Sequence, residues 1–284
     1  MRWLIYGSKG WIGSMVITLL KQAQEEVIEA SVRADDEVGV EAEILRVQPD
    51  RIMSFIGRTR GDHFTSIDYL EQKGKLVENI KDNLYGPLTL AILAKKHNIH
   101  YTYLGTGCIF SGYPQDGYTE NDKPDFFGSS YSVVKGYTDR LMHTFADSAL
   151  NVRIRMPIST DTSDRNFIIK ILHYKKICNM DNSMTVLPEL LPYMIDMAKN
   201  KLTGTVNLTN PGVICHNEIL QLVRDIALPE LTWENFTVQE QNAILLSERS
   251  NNMLNTHKLE DLYPQVLPIK TSVRNIVEAL KNKL

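Results

Sequence analysis

Cysteine is scarce in this chain: Cys108, Cys178 and Cys215 are the three copies in 284 residues. They are odd in number, far apart and form no Cys-x-x-Cys pair. That argues against a disulfide framework and against a zinc site, so no metal is expected. Each reads first as a small buried hydrophobe in a reducing compartment. A strong charge of one sign is missing too. The formal net charge of −3 gives no electrostatic reason to expect nucleic acid or an anionic membrane as a partner. Long apolar runs are absent as well. Trp3-Leu4-Ile5-Tyr6 stops at Gly7, far short of a secretion signal's core, and no stretch approaches the ~18 apolar residues of a membrane span. There is no internal repeat and no low-complexity segment. What remains is the composition of a soluble, cytoplasmic globular protein, 43% hydrophobic and 23% charged. The length suits one large domain or a domain with a substantial second lobe.

Short apolar runs alternate with longer helical patterns. Strands are expected at Trp3–Tyr6, Val27–Val32, Arg51–Ile56, Ile99–Leu104 and Val152–Arg155. Between them lie helical patterns at Trp11–Ala23, Glu37–Val47, Lys75–His97 and Tyr131–Phe145, with Pro87 a kink or junction in the third. Such alternation predicts an α/β fold of the Rossmann type, a doubly wound parallel sheet with helices on both faces. After Met156-Pro157 the pattern changes to helical stretches at Arg165–Tyr174, Pro188–Asn200, His216–Ile226 and Val238–Leu246, with one clear strand at Thr205–Leu208. A smaller mixed C-terminal lobe is expected there.

Gly7-Ser8-Lys9-Gly10-Trp11-Ile12-Gly13 joins the first strand to the first helix as a G-x-x-G-x-x-G loop. Glycines permit a tight turn and close approach of the backbone to a pyrophosphate, which then rests on the helix N-terminus. Alone the pattern is weak, but directly between strand and helix it is in the context a dinucleotide site requires. Its spacing matches extended short-chain dehydrogenase/reductases. At the end of the second strand, Arg33 favours a ribose 2′-phosphate and hence NADPH, whereas the acidic Asp35 and Asp36 close by leave NADH open. A solvated surface arginine is the other reading of Arg33. Residues 1–155 are thus expected to form the NAD(P)-binding domain. Residues 156–284 form mainly a substrate-binding lobe, with a segment at about 205–210 returning to the main sheet.

Tyr131-Ser132-Val133-Val134-Lys135 is Tyr-x-x-x-Lys. Residues four apart share a helix face. Lys135 is therefore placed to lower the tyrosine's pKa while holding the nicotinamide ribose, and Tyr131 to give a proton to a carbonyl that receives hydride. Thr106, just past the fourth strand, sits where its hydroxyl would bond the same oxygen. Cys108, two residues on, falls on the same side of an extended segment. A thiolate there is a candidate base, against the plainer reading of a buried inert cysteine.

Longer stretches resemble one family closely. They are Leu4–Gly7 with Gly10–Gly13, Thr106–Phe110, Arg155–Ser159, Arg165–Ile168, Asn207–Val213, His216–Leu220 and Arg249–Asn252. Across essentially the whole chain these resemble the nucleotide-rhamnose synthase/epimerase-reductases, the UDP-4-keto-6-deoxyglucose 3,5-epimerase/4-reductases. The resemblance implies inversion at C3 and C5 of a 4-keto sugar followed by NADPH reduction at C4, giving UDP-L-rhamnose. In the similar GDP-fucose synthases a cysteine in the position of Cys108 is one epimerisation acid/base. The partner histidine's nearest equivalent here is Asn166, which exchanges no proton usefully, and the rhamnose-synthase relatives point to Lys170, one turn on. A surface lysine is its alternative reading. By position the family further implies Phe55, Ile56 and Gly57 on the adenosine side, Asn83 supporting the active site, Pro157 and Ile158 near the nicotinamide, and Asn166 in the substrate site. Arg249 is implied at the nucleotide diphosphate, with a structural salt bridge as its alternative. Some members are the C-terminal half of a larger synthase, so a separate 4,6-dehydratase is expected to supply the substrate. A homodimer is expected by resemblance.

Two other functions compete. A reductase-only enzyme resembling dTDP-4-keto-rhamnose reductases does not require a cysteine at position 108. A non-catalytic, NADP-binding regulatory subunit is a role some members of the superfamily play, often after losing the Tyr/Lys pair that is intact here.

Overall fold

The computed structural model describes residues 1–57, 60–61, 63–64 and 66–284. Its centre is a six-stranded parallel sheet made of β1 (Arg2–Tyr6), β2 (Glu26–Glu29), β3 (Arg51–Ser54), β4 (His100–Thr106), β5 (Ala149–Ile154) and β9 (Gly204–Asn207), in the order β2-β1-β3-β4-β5-β9. Both faces are covered, so β3 and β5 are buried at every residue, polar ones included. Successive side chains of β1 still go to opposite sides. Trp3 and Ile5 join one core with α1 (Trp11–Gln22) and α7 (Leu187–Lys199), and Leu4 and Tyr6 join another with α2 (Glu37–Val47), α4 (Gly86–Lys96) and the end of α5 (Ser130–Met142).

Several strands end where their partners end. Among the described strands β2 pairs with β1 alone; past the register Ile5↔Glu29 the Ala30 amide still bonds the Ile5 carbonyl at 2.9 Å, but β1 then turns at Gly7 and the Ser31 amide goes to the Glu43 carboxylate instead. β3 likewise stops at Ser54 opposite Tyr6, two residues short of the expected end. β4 ends two residues beyond its expected end because β5 pairs with it as far as Thr106↔Ile154.

The long helical pattern after residue 75 is three pieces: α3 (Leu76–Ile80), a π-turn at Lys81–Tyr85, and α4. Pro87 lies at the start of α4, and having no N–H it offers nothing to the carbonyl of Asn83 four residues back. Thr138 Oγ1 on α5 bonds that carbonyl at 2.7 Å instead.

The second lobe packs β6 (Pro157–Ile158) beside β8 (Thr185–Val186), and β7 (Lys176–Cys178) beside β10 (Glu234–Phe236). Around them sit α6 (Phe167–Leu172), α8 (His216–Ile226) and α11 (Ile269–Leu280), on a core that includes Ile168, Ile219, Val273 and Val277. The helices α9 (Val238–Ile244) and α10 (His257–Leu262) complete the chain. Among the described residues no helix is long and apolar enough to cross a membrane.

Candidate active site

In this strand order the chain reverses direction of progress between β1 and β3, and their carboxyl ends open a crevice at that point. A cavity of about 1660 Å³ starts there and extends past the ends of β4 and β5 to the second lobe.

At one end stands the glycine loop. Gly7 has φ +76°, and a Cβ on it would lie 2.7 Å from the backbone carbon of Phe55. A Cβ on Gly13 would lie 2.3 Å from the Gly7 carbonyl oxygen. Glycine is required at both, because the turn folds its own backbone against β3 and against the first turn of α1. Gly10 is the N-cap of α1, so the free N–H groups of that helix face the cavity, a setting that favours phosphate. Ser8, Lys9, Gly10, Trp11 and Ile12 line it, as do Phe55, Ile56, Gly57 and Asn83. The loop and the expected adenosine side therefore lie together. Arg33 is exposed at the rim and paired, through Nε to Asp35 at 2.8 Å and through Nη2 to Asp82 at 3.1 Å.

Beyond the loop the residues expected to carry reduction converge. Thr106, Cys108, Tyr131 and Lys135 line the same cavity. Ser129 caps α5 through the amide of Ser132, and Ser132 Oγ donates to the carbonyl of Cys108 at 2.8 Å, which ties the helix to the turn after β4. Thr106 Oγ1 accepts from the Cys108 amide at 3.0 Å. Burial holds the Tyr131 hydroxyl well above its ordinary pKa; an ionised Cys108 would add to this, and the Thr106 hydroxyl opposes it. Tyr131 is thus a protonated donor in the protein alone. Burial also pushes Lys135 down to about 7.

One expectation needs correcting. In the protein alone Lys135 does not hold the Tyr131 pKa down. Its Nζ donates to the hydroxyl of Tyr103, with the ammonium 4.5 Å from that ring's centroid, and burial outweighs any lysine effect on Tyr131. Tyr103 carries no signal in the sequence beyond being a strand residue.

The second lobe brings Lys170 and Arg249 to the cavity. Burial lowers Lys170 from the usual lysine range, and the neighbouring Arg249 and Arg60 lower it further. Arg249 also makes the salt bridge that was its alternative reading, Nη2 to Asp68 at 2.5 Å, and its Nη1 donates to Ser247 Oγ at 2.6 Å. Two residues do not arrive. Asn166 is fully buried and committed: Nδ2 donates to the carbonyls of Ser159 and Asp161, both at 2.7 Å, and Oδ1 accepts from the amides of Ile168 and Ser159. It caps α6 and closes the loop before it, and does not line the cavity. Ile158 points into the core of the second lobe, while Pro157 beside it does line the cavity. In a strand, neighbours face opposite ways.

Outside the cavity lining, Asp181, Cys215 and Glu218 bring potential metal-ligand atoms within 4.8 Å of one another. Glu218 is already engaged, accepting from the Cys215 amide and pairing with Lys270.

The sequence model of the NAD-dependent epimerase/dehydratase family matches residues 3–160. The chain is 61% identical to protein L780 of Acanthamoeba polyphaga mimivirus over 99% of both chains. The crystal structure of that L780 UDP-rhamnose synthase superposes with a TM-score of 0.96 over 98% of this chain and 99% of the other.

This chain belongs to the NAD-dependent epimerase/dehydratase family.

Within that family, the chain is 40% identical to a bifunctional dTDP-4-dehydrorhamnose 3,5-epimerase/reductase of Arabidopsis thaliana, over 96% of this chain and 91% of that protein. It is 38% identical to a trifunctional UDP-glucose 4,6-dehydratase/3,5-epimerase/reductase of the same plant, over 98% of this chain but 42% of that larger protein. The resemblance to the nucleotide-rhamnose synthases is borne out by these relatives. This family member is an enzyme, and its Rossmann-type sheet is as expected.

Proposed function

We propose that this enzyme is a bifunctional 3,5-epimerase/4-reductase that converts UDP-4-keto-6-deoxy-D-glucose to UDP-L-rhamnose with NADPH. The observation that carries this reading is the convergence of Thr106, Cys108, Tyr131, Lys135 and Lys170 on one cavity that starts at the glycine loop. UDP as the nucleotide rests on the likeness to the mimivirus UDP-rhamnose synthase.

The residues present fit a nicotinamide dinucleotide: a glycine turn that side chains would block, the start of α1 behind it, and Arg33 at the rim for a 2′-phosphate. NADPH bound there supplies the hydride for the C4 ketone. Lys135 holds the ribose, Thr106 bonds the ketone oxygen, and Tyr131 gives that oxygen its proton as the charge develops. Before reduction, the ketone acidifies the C3 and C5 protons. Cys108 and Lys170 are the assigned pair, one removing a proton and the other returning one to the opposite face of the same carbon, at each centre in turn. A 4,6-dehydratase acting beforehand is the reaction class that makes such a substrate. A homodimer completes the proposal. Its support is the exposed apolar side chains of Leu76 and Val77 on α3 and Tyr137 and Leu141 on α5, two helices in mutual contact.

The test is the purified enzyme with UDP-4-keto-6-deoxyglucose and NADPH in deuterated water, the product read by NMR. UDP-L-rhamnose deuterated at C3 and C5 is expected. A reduced product without deuterium at those carbons would overturn the epimerase half and leave a reductase. No NADPH oxidation with any 4-keto-6-deoxy nucleotide sugar would overturn both halves.

A further inference from the structure

Arg155 immediately follows β5 and is 1% exposed. Among the described residues its guanidinium bonds only neutral acceptors. Nη1 donates to the Gly107 carbonyl at 2.9 Å and to Ser250 Oγ at 3.0 Å, Nη2 to the Ser250 carbonyl at 3.1 Å and to Asn182 Oδ1, and Nε to the Ser183 carbonyl at 3.3 Å. Among the described residues no carboxylate pairs with it. The contrast with Arg153, two residues earlier on β5, is direct: that guanidinium is equally buried and grips Asp139 through both Nε and Nη2 at 2.8 Å. Burying a cation without a counter-charge is costly. Arg155 therefore stands out as a charge kept for some other purpose than holding the core.

Its position suggests the purpose. The Gly107 carbonyl it grips belongs to the residue between Thr106 and Cys108, and Asn252 Nδ2 donates to that same oxygen at 2.9 Å. The arginine's stem fills the space beside Gly107, where a Cβ would lie 2.9 Å from Arg155 Cγ. Burial lowers the arginine's pKa, and the anionic forms of Cys108 and Tyr113 are the two groups that oppose this. Cys108 is the half-buried one on the turn that Arg155 grips, and both residues line the cavity.

We propose that Arg155 is a positioning residue for Cys108: its unpaired guanidinium fixes the Gly107–Cys108 turn from behind and supplies the counter-charge for a thiolate in proton transfer. The proposal rests on the epimerase reading above. It assigns the second lobe a share in epimerisation, because Asn182, Ser183 and Ser250 hold the arginine in place. Reduction, carried by Tyr131 and Lys135 on α5, does not depend on it in the same way.

The test uses the enzyme with Cys178 and Cys215 replaced by serine, so that Cys108 is the remaining thiol. Arg155→Met is expected to slow alkylation of Cys108 by iodoacetamide at pH 7.5 about tenfold or more, because the thiolate loses its counter-charge. Arg155→Lys keeps the charge but loses the planar fork that holds the turn, and is expected to slow alkylation less than Arg155→Met does. Should Arg155→Met not fold, Asn182→Asp decides the question: it leaves the arginine in place, gives it the missing carboxylate, and is expected to slow alkylation in the same way. In the sugar reaction the same neutralised variants should lose deuterium incorporation at C3 and C5 more than they lose reduction of a 4-keto sugar already epimerised. Alkylation at the parent rate in a folded neutralised variant would overturn the proposal. Absence of deuterium incorporation in the unsubstituted enzyme would instead overturn the epimerase reading, and the alkylation rates tell the two failures apart.

Discussion

The ammonium of Lys135 on α5 donates to the hydroxyl of Tyr103 on β4 and lies over its ring. Both groups are buried, and burial holds the tyrosine well above its ordinary pKa, so the hydroxyl stays neutral. The pair fixes where the lysine points before any ligand arrives. Tyr103→Phe keeps the ring and removes the acceptor. It is expected to lower kcat for NADPH oxidation about tenfold, the loss of one hydrogen bond to a charged group, with KM for the sugar nearly unchanged. Steady-state kinetics on the variant check this.

Lys135 also sets a pH dependence in the protein without ligands. Its folded pKa is pushed down to about 7, below the ordinary 10.5. Between those values the unfolded chain binds a proton that the folded one does not, so this group's contribution makes stability rise with pH. Below pH 7 both states are charged and the full burial penalty is felt. Lys135→Met should therefore stabilise the protein most near pH 6.5, by about 1–3 kcal/mol, and progressively less by pH 8.5. Urea midpoints of variant and parent at the two pH values measure the difference.

On the proposed epimerase/reductase reading, Cys108 separates the two half-reactions. Cys108→Ser preserves the size of the side chain but lacks an ionisable thiol at neutral pH. Deuterium incorporation at C3 and C5 should fall about 100-fold or more, the order of a lost general acid/base. Reduction of a pre-epimerised 4-keto sugar should change less than about threefold if the turn stays in place. A variant that lost both activities equally would place Cys108 in the common reduction step.

Arg33 is paired with Asp35 and Asp82 in the protein alone. A 2′-phosphate would have to compete with those carboxylates, so the expected discrimination is modest. Arg33→Ala should raise the Kd for NADPH about tenfold, within the range of one charge-assisted contact, and leave that for NADH close to the parent value. Fluorescence titration of both cofactors checks it, and equal weakening of the two would remove Arg33 from the 2′-phosphate site.

Asn166 behaves as a structural residue in these contacts. Asn166→Ala removes the cap of α6 and the bonds to Ser159 and Asp161, and should cost about 2–4 kcal/mol of stability. The expected signature is a lower thermal midpoint. A higher KM with an unchanged midpoint would restore a direct role in the substrate site.

The local chemistry of this protein was legible in the sequence wherever one element carries it whole. The loop from Gly7 to Gly13 needs only a strand before it and a helix after it, and its backbone demands are met by residue type. Tyr131 and Lys135 share a face of α5 by helical spacing alone, and α2 and α8 fall on their apolar periods. The stripe Ile269, Val273, Ile276, Val277 and Leu280 had the same periodicity, although no element was expected beyond Leu246. What the chain could not state locally is which groups from distant segments meet. Strand ends were set by partners, as Tyr6 sets the end of β3. Lys135 was aimed by Tyr103, Arg249 was engaged by Asp68, and Asn166 was drawn into its own loop, each through contacts that a one-dimensional pattern does not encode. The same is true of Arg155, which reads as one more residue after a strand. Only packing reveals that it is buried with no carboxylate partner among the described residues, because desolvation and pairing belong to the assembled surroundings rather than to the residue.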